Sequence, residues 1–176
     1  MAPSIENSTH IVVLIDRSGS MATIASDVIG GFNTFVDDQR SNGNDARMSV
    51  IQFDSQDPQD VTVWGAPLAE ITHLTGQTFQ PRGGTPLLDA TGLAIGRAKV
   101  DGEARVAAGL DAYNDAERMG IHAGDTQQWK RDGANARLAF SSTSTAIKNI
   151  RDKKRRYEET LRGSAFETGK DAEEQE

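Results

Sequence analysis

Asp16-Arg17-Ser18-Gly19-Ser20 sets one carboxylate and two hydroxyls at alternate positions directly after the apolar run Ile11-Val12-Val13-Leu14-Ile15. Three small oxygen donors on a tight loop at a strand end outline a hard-cation site. Mg²⁺ takes oxygen ligands in near-octahedral order and leaves positions for water or an incoming carboxylate. The same residue types also cap helices with no metal present, because Ser and Asp side chains accept from the first backbone N–H groups. A further hydroxyl, Thr85, lies in Gly83-Gly84-Thr85-Pro86-Leu87-Leu88-Asp89-Ala90, where a plain capping role ahead of Pro86 is equally open to it. Asp54 and Asp89 are acidic and near the expected site, but aspartates at strand ends and on helix surfaces are ordinary.

The elements that must position these groups follow from periodicity. Ile11 to Ile15 is apolar on both faces and rich in β-branched residues, as in a central strand covered on both sides by helices. Ile24, Val28, Phe32, Phe35 and Val36 recur at spacings of three and four, which predicts an amphipathic helix over Ala22 to Arg40, stopped by Ser41-Asn42-Gly43-Asn44 and weakened locally at Gly30-Gly31. A strand from Met48 to Phe53 and another from Val61 to Trp64 are joined by the short polar link 55–60, so they pair antiparallel with the second at the edge. After the irregular stretch from Thr72 to Gly84, a helix starts near Pro86. Beyond Ala98 helical signals dominate, over Ala134 to Ile150 and the charged stretch Arg151 to Arg162.

Taken together, Asp16-Arg17-Ser18-Gly19-Ser20-Met21 before an amphipathic helix, and Gly83-Gly84-Thr85-Pro86-Leu87 with two strands between, resemble the bacterial branch of the von Willebrand factor A (VWA) domain family. That family has a Rossmann-like, doubly wound α/β sheet and a metal-ion-dependent adhesion site. The resemblance implies that Ser18, Ser20 and Thr85 contact Mg²⁺ (or Mn²⁺) through their hydroxyls, that Asp16 acts directly or through water, and that a partner protein's Asp or Glu carboxylate completes the shell. It covers roughly residues 9 to 98. Residues 109–113 and 119–126 look like a later segment of bacterial relatives. The family's fourth strand, ending in an aspartate that forms the third limb of the site, and its fifth strand have little counterpart. Asp101-Gly102 stands in that place, so the chain looks internally shortened by on the order of 40 residues, a strand, a helix and their connections. Losing the fourth strand would leave one side of Ile11 to Ile15 unpaired, an open sheet edge through which homo-oligomers could form. Arg105 to Leu110, poor in β-formers, is the expected surrogate strand. The expected organisation is an extension over 1–9, a VWA-like domain over 10–162 (well matched over 10–98, shortened and mainly helical over 99–162) and a disordered acidic tail over 163–176.

Composition narrows the function classes. The 176 residues suffice for one domain, and a formal charge of -7 argues against general affinity for nucleic acid or anionic membrane. There is no cysteine, so disulfides and thiolate metal sites are excluded. Met1 to His10 lacks a basic n-region and the following apolar run is too short to span a bilayer, so a cytoplasmic protein is expected. Lys153-Lys154-Arg155-Arg156 is flanked by Asp152, Glu158 and Glu159 and reads as a solvated helix face with internal ion pairs. His10, His73 and His122 have no nucleophile motif around them, and Trp64 and Trp129 read as packing residues. An aspartate ending a buried strand beside Mg²⁺ also outlines a phosphoryl-accepting nucleophile, but that chemistry needs a second acid and a lysine on later strands. The expectation is a non-enzymatic, cation-dependent protein-binding module, with a metal-free interaction module as the alternative.

Overall fold

β1 (Thr9–Asp16) is buried along its length apart from its last residue, as the uninterrupted apolar run requires. The computed structural model describes residues 9–100, 104–107 and 132–173. The chain divides into two compact units, Met1–Ser144 and Thr145–Glu176.

In the first unit, β1 leads through a 3₁₀ turn (Gly19–Ile24) into α1 (Ala25–Ser41). β2 (Ala46–Phe53), β3 (Asp60–Pro67), α2 (Leu87–Val100) and β4 (Ala104–Ala107) follow. The four strands form one mixed sheet in the order β3-β2-β1-β4. β1 and β2 run parallel over their full length, from Thr9 opposite Ala46 to Asp16 opposite Phe53. β3 pairs antiparallel with β2 at the sheet edge, as the short link predicts, with register shifts around Val50. β3 is longer than the expected Val61 to Trp64.

The fourth position, expected to be empty or filled by Arg105 to Leu110, holds β4. It lies parallel to β1, with His10 opposite Ala104 and Val13 opposite Ala107. Alanine has little intrinsic strand preference, so this pairing follows from the backbone demand of β1 rather than from local propensity. Residues 108–110 of the expected strand lie outside the described residues, as do the segments 109–113 and 119–126.

Alternation divides β1 between two covered faces. Val12 and Leu14 join Ile51 and Phe53 of β2 and Leu87, Ala90, Ala94 and Ala98 of α2 in one apolar cluster. Ile11, Val13 and Ile15 point the other way and are equally buried, as is the α1 stripe Val28, Phe32, Phe35 and Val36. The last helix, α3 (Gly133–Glu173), starts in the first unit. Its Phe140 ring packs on Phe32 and Phe35, with centroids 6.3 and 6.2 Å away. Gly31 makes room for that ring, since a Cβ there would lie 2.6 Å from Phe140 Cδ2. Gln39 donates to the Ser144 hydroxyl at 3.1 Å, and Ser144 donates to Asp38 at 2.9 Å.

The second unit is the remainder of α3. Asp152 pairs with Arg155 one turn on, an internal ion pair within the charged face anticipated from the sequence. The helix continues to Glu173, through residues 163–173 that composition reads as a disordered tail. No proline interrupts this stretch, and Ala165, Glu167, Lys170 and Ala172 are good helix formers. Among the described residues, no helix is long and apolar enough to cross a membrane.

Candidate metal centre

The candidate site lies at the carboxyl ends of the parallel strands β1 and β2, where open α/β sheets leave a crevice for ligands. Asp16 is the last residue of β1. The chain stays beside β2 for one more residue, with the Arg17 N–H donating to Phe53 O at 2.9 Å, and then turns. The turn is held by Asp16 itself, whose Oδ1 accepts the Ser18 N–H at 2.7 Å. Ser18 O then accepts the Met21 N–H at 2.9 Å, and the buried Met21 side chain anchors the 3₁₀ turn.

Ser18 occupies the N-cap position of that 3₁₀ turn, yet its side chain makes no capping hydrogen bond. Its Oγ instead lies 3.1 Å from Ser20 Oγ. Two oxygens on adjacent vertices of an octahedron around Mg²⁺, each at 2.0–2.1 Å, stand about 3 Å apart. The hydroxyl pair therefore has the spacing that one ion requires of two neighbouring ligands, and in its absence the same spacing is an O–H···O hydrogen bond. Asp16, Ser18 and Ser20 are brought together as expected.

The loop carrying Thr85 is joined to this turn through its backbone. The Arg82 N–H donates to Arg17 O at 2.8 Å, and the Gly19 N–H donates to Gly83 O at 3.0 Å. A Cβ on Gly19 would stand 3.3 Å from Gly83 O, so glycine permits the approach. Gly83 has φ +64°, and a Cβ there would meet Ser55 Oγ at 2.5 Å, which accounts for the first glycine of Gly83-Gly84. Ser55 ties the same loop to the end of β2. Its N–H donates to Gly84 O at 3.0 Å and its Oγ accepts the Gly84 N–H at 2.8 Å. Thr85 follows directly and is exposed to solvent. Asp101, the expected third limb, lies outside the described residues.

Beneath the two loops is a group that the sequence read as an ordinary strand-end aspartate. Asp54, fully buried at the end of β2, accepts Arg17 Nε at 2.9 Å and Arg82 Nε at 2.9 Å through the same oxygen, Oδ2. Its Oδ1 accepts the N–H groups of Gln56 at 2.8 Å and Asp57 at 3.0 Å. Arg17, the residue between two proposed ligands, also reaches Asp60 with Nη1 at 2.6 Å. Burial alone would push the Asp54 carboxyl up, but the bonds from Arg82, Gln56, Arg17 and Asp57 outweigh it and hold the group well below the usual carboxylate range. For Arg17, burial works against the charge, and Asp60 and Asp54 more than restore it, so its pKa is raised. The available signal was an arginine inside the oxygen-donor loop, which needs a carboxylate once it is buried. Asp89, the other acid weighed, is exposed on α2.

Among the described residues no group of three or more His, Cys, Asp or Glu could hold a metal ion. Of the histidines weighed, His10 is buried against the Ser49 hydroxyl at 2.7 Å and edge-on to Trp64, a packed core residue. His73 is a surface partner of Asp37 at 2.9 Å. His122 and Trp129 lie outside the described residues. Compared with protein-family models and with curated proteins, the chain matches none.

Proposed function

We propose that this chain is a non-enzymatic protein-binding module of the VWA type, acting through one divalent cation, Mg²⁺ or Mn²⁺, held by Asp16, Ser18, Ser20 and Thr85. A carboxylate from an Asp or Glu of the partner completes the shell, and Asp101 is the residue the family resemblance would add. A cytoplasmic setting belongs to the same reading. The observation that carries it is the Ser18 hydroxyl, which sits at an N-cap without capping and lies 3.1 Å from Ser20 Oγ. A pure helix-start motif would aim that oxygen at backbone N–H groups. The joining of the Thr85 loop to the same turn supports the choice.

The test is a melting curve of the full chain in Mg²⁺ or Mn²⁺ against EDTA. A cation that binds only the folded state, at a hundredfold its dissociation constant, stabilises by about 2.7 kcal/mol. For a chain of this length that corresponds to roughly 5–10 °C. Asp16→Ala should abolish the shift. No shift in the wild-type chain would refute the cation and favour a metal-free interaction module. Turnover of a phosphoester that is lost in Asp16→Ala would instead make the protein an enzyme.

A further inference from the structure

Hydroxyl ligands hold a cation weakly, so a site built from them depends on how rigidly they are placed. Ser18 and Ser20 lie on one loop and Thr85 on another, 65 residues further along the chain. Two backbone hydrogen bonds join the loops, Arg82 N–H to Arg17 O and Gly19 N–H to Gly83 O. Beside them, each loop sends one arginine into the same buried oxygen, Asp54 Oδ2.

We propose that Asp54, Arg17 and Arg82 form a positioning clamp that sets the spacing of the two ligand loops; this rests on the cation reading given above. Arg17 is flanked by Asp16 and Ser18, so fixing its side chain fixes the backbone that carries both. The guanidinium donates from Nε to Asp54 Oδ2 at 2.9 Å and from Nη1 to Asp60 at 2.6 Å, a planar grip on two carboxylates that an ammonium group does not reproduce. Arg82 closes the clamp from the other loop. Its side chain is 46% exposed, so an ordinary surface ion pair would make it dispensable, but its partner carboxylate is fully buried and shared. Asp54 touches no proposed ligand directly; it acts through the two arginines. Groups that orient metal ligands in this way commonly change metal affinity 10–100-fold when replaced.

The experiment measures Mn²⁺ binding to the full chain by calorimetry for wild type, Arg82→Gln and Arg17→Lys. It also follows exchange of the Gly19 amide hydrogen in EDTA. Arg82→Gln is expected to bind Mn²⁺ about tenfold more weakly, to exchange Gly19 faster, and to lose little of the metal-free melting temperature, because Asp54 keeps Arg17 and the Gln56 and Asp57 N–H groups. Arg17→Lys is expected to weaken binding too, since it keeps the charge and loses the planar grip. A wild-type chain that binds Mn²⁺, with both variants within about twofold of it, would overturn the clamp and leave the cation reading intact. Loss of affinity accompanied by an equal loss of metal-free stability in both variants would also overturn it, showing a purely structural ion pair. A wild-type chain that binds no Mn²⁺ overturns the cation reading and the clamp with it.

Discussion

Asp54→Asn isolates the charge at the centre of the loop network. Asparagine keeps the shape of the side chain and an oxygen for the Gln56 and Asp57 N–H groups, and it removes the charge shared by Arg17 and Arg82. Arg17 is the costly partner, because its side chain is 7% exposed and would retain only Asp60, itself 40% exposed. Breaking a buried pair from one side costs about 3–5 kcal/mol, and with Asp60 still in place the lower end, about 3 kcal/mol, is expected at neutral pH. That is a large fraction of the roughly 5–15 kcal/mol that holds a domain together, and it corresponds to a fall of about 6–12 °C in Tm. Urea unfolding of wild type and variant as a function of pH supplies the check. The folded carboxyl is held below its ordinary pKa, so its stabilisation is fully present above the unfolded value of about 3.9 and is lost as pH falls towards the folded value. The difference between the two proteins should therefore be constant above about pH 5 and shrink below about pH 4. A difference under about 1 kcal/mol at neutral pH, the range of a surface ion pair, would refute the reasoning. A difference that persists undiminished in strong acid would do the same.

Adjacent glycines in α1 should respond in opposite directions. Gly30→Ala meets nothing within 4 Å and should stabilise the helix by up to about 1 kcal/mol. Gly31→Ala would place a Cβ 2.6 Å from Phe140 and should destabilise by about 1–3 kcal/mol, less the helix gain; denaturant midpoints that move together would contradict the packing of α3 on α1. The pairing of β4 with β1 is tested by Arg105→Pro and Val106→Pro, compared side by side. Successive N–H groups of a strand point to opposite sides, so one of the two must lose a bond to β1 and about 1 kcal/mol, and neutrality of both would remove the strand.

Much of the frame was legible because it depends on local pattern. Five consecutive apolar residues, Ile11 to Ile15, demand cover on both faces wherever they occur, and β1 has it. The three- and four-residue spacing of Val28, Phe32, Phe35 and Val36 required a helix whatever it packs on. The short link between β2 and β3 left only an antiparallel edge. Within the candidate site, Asp16, Ser18 and Ser20 had to share a turn, since a single residue separates each from the next. What the sequence could not determine is whether that turn is a helix cap or a ligand set, because both use the same residues. Only the structure shows that the Ser18 hydroxyl turns to the Ser20 hydroxyl and makes no capping bond.

The long-range features belong to the fold alone. Asp54 meets Arg17 across 37 residues and Arg82 across 28, and no local spacing marks a buried carboxylate that bridges two loops. Gly31 was legible only as a weak point in a helix and proved to be the seat for Phe140, more than a hundred residues away. The surrogate strand expected at the open edge of β1 does form, over Ala104–Ala107, but its start and its register opposite His10 to Val13 were set by the fold, against its own propensity. The sequence by itself determined which donors and which apolar surfaces exist. The tertiary structure decided which of them meet, because a contact between distant segments depends on the packing of everything between them.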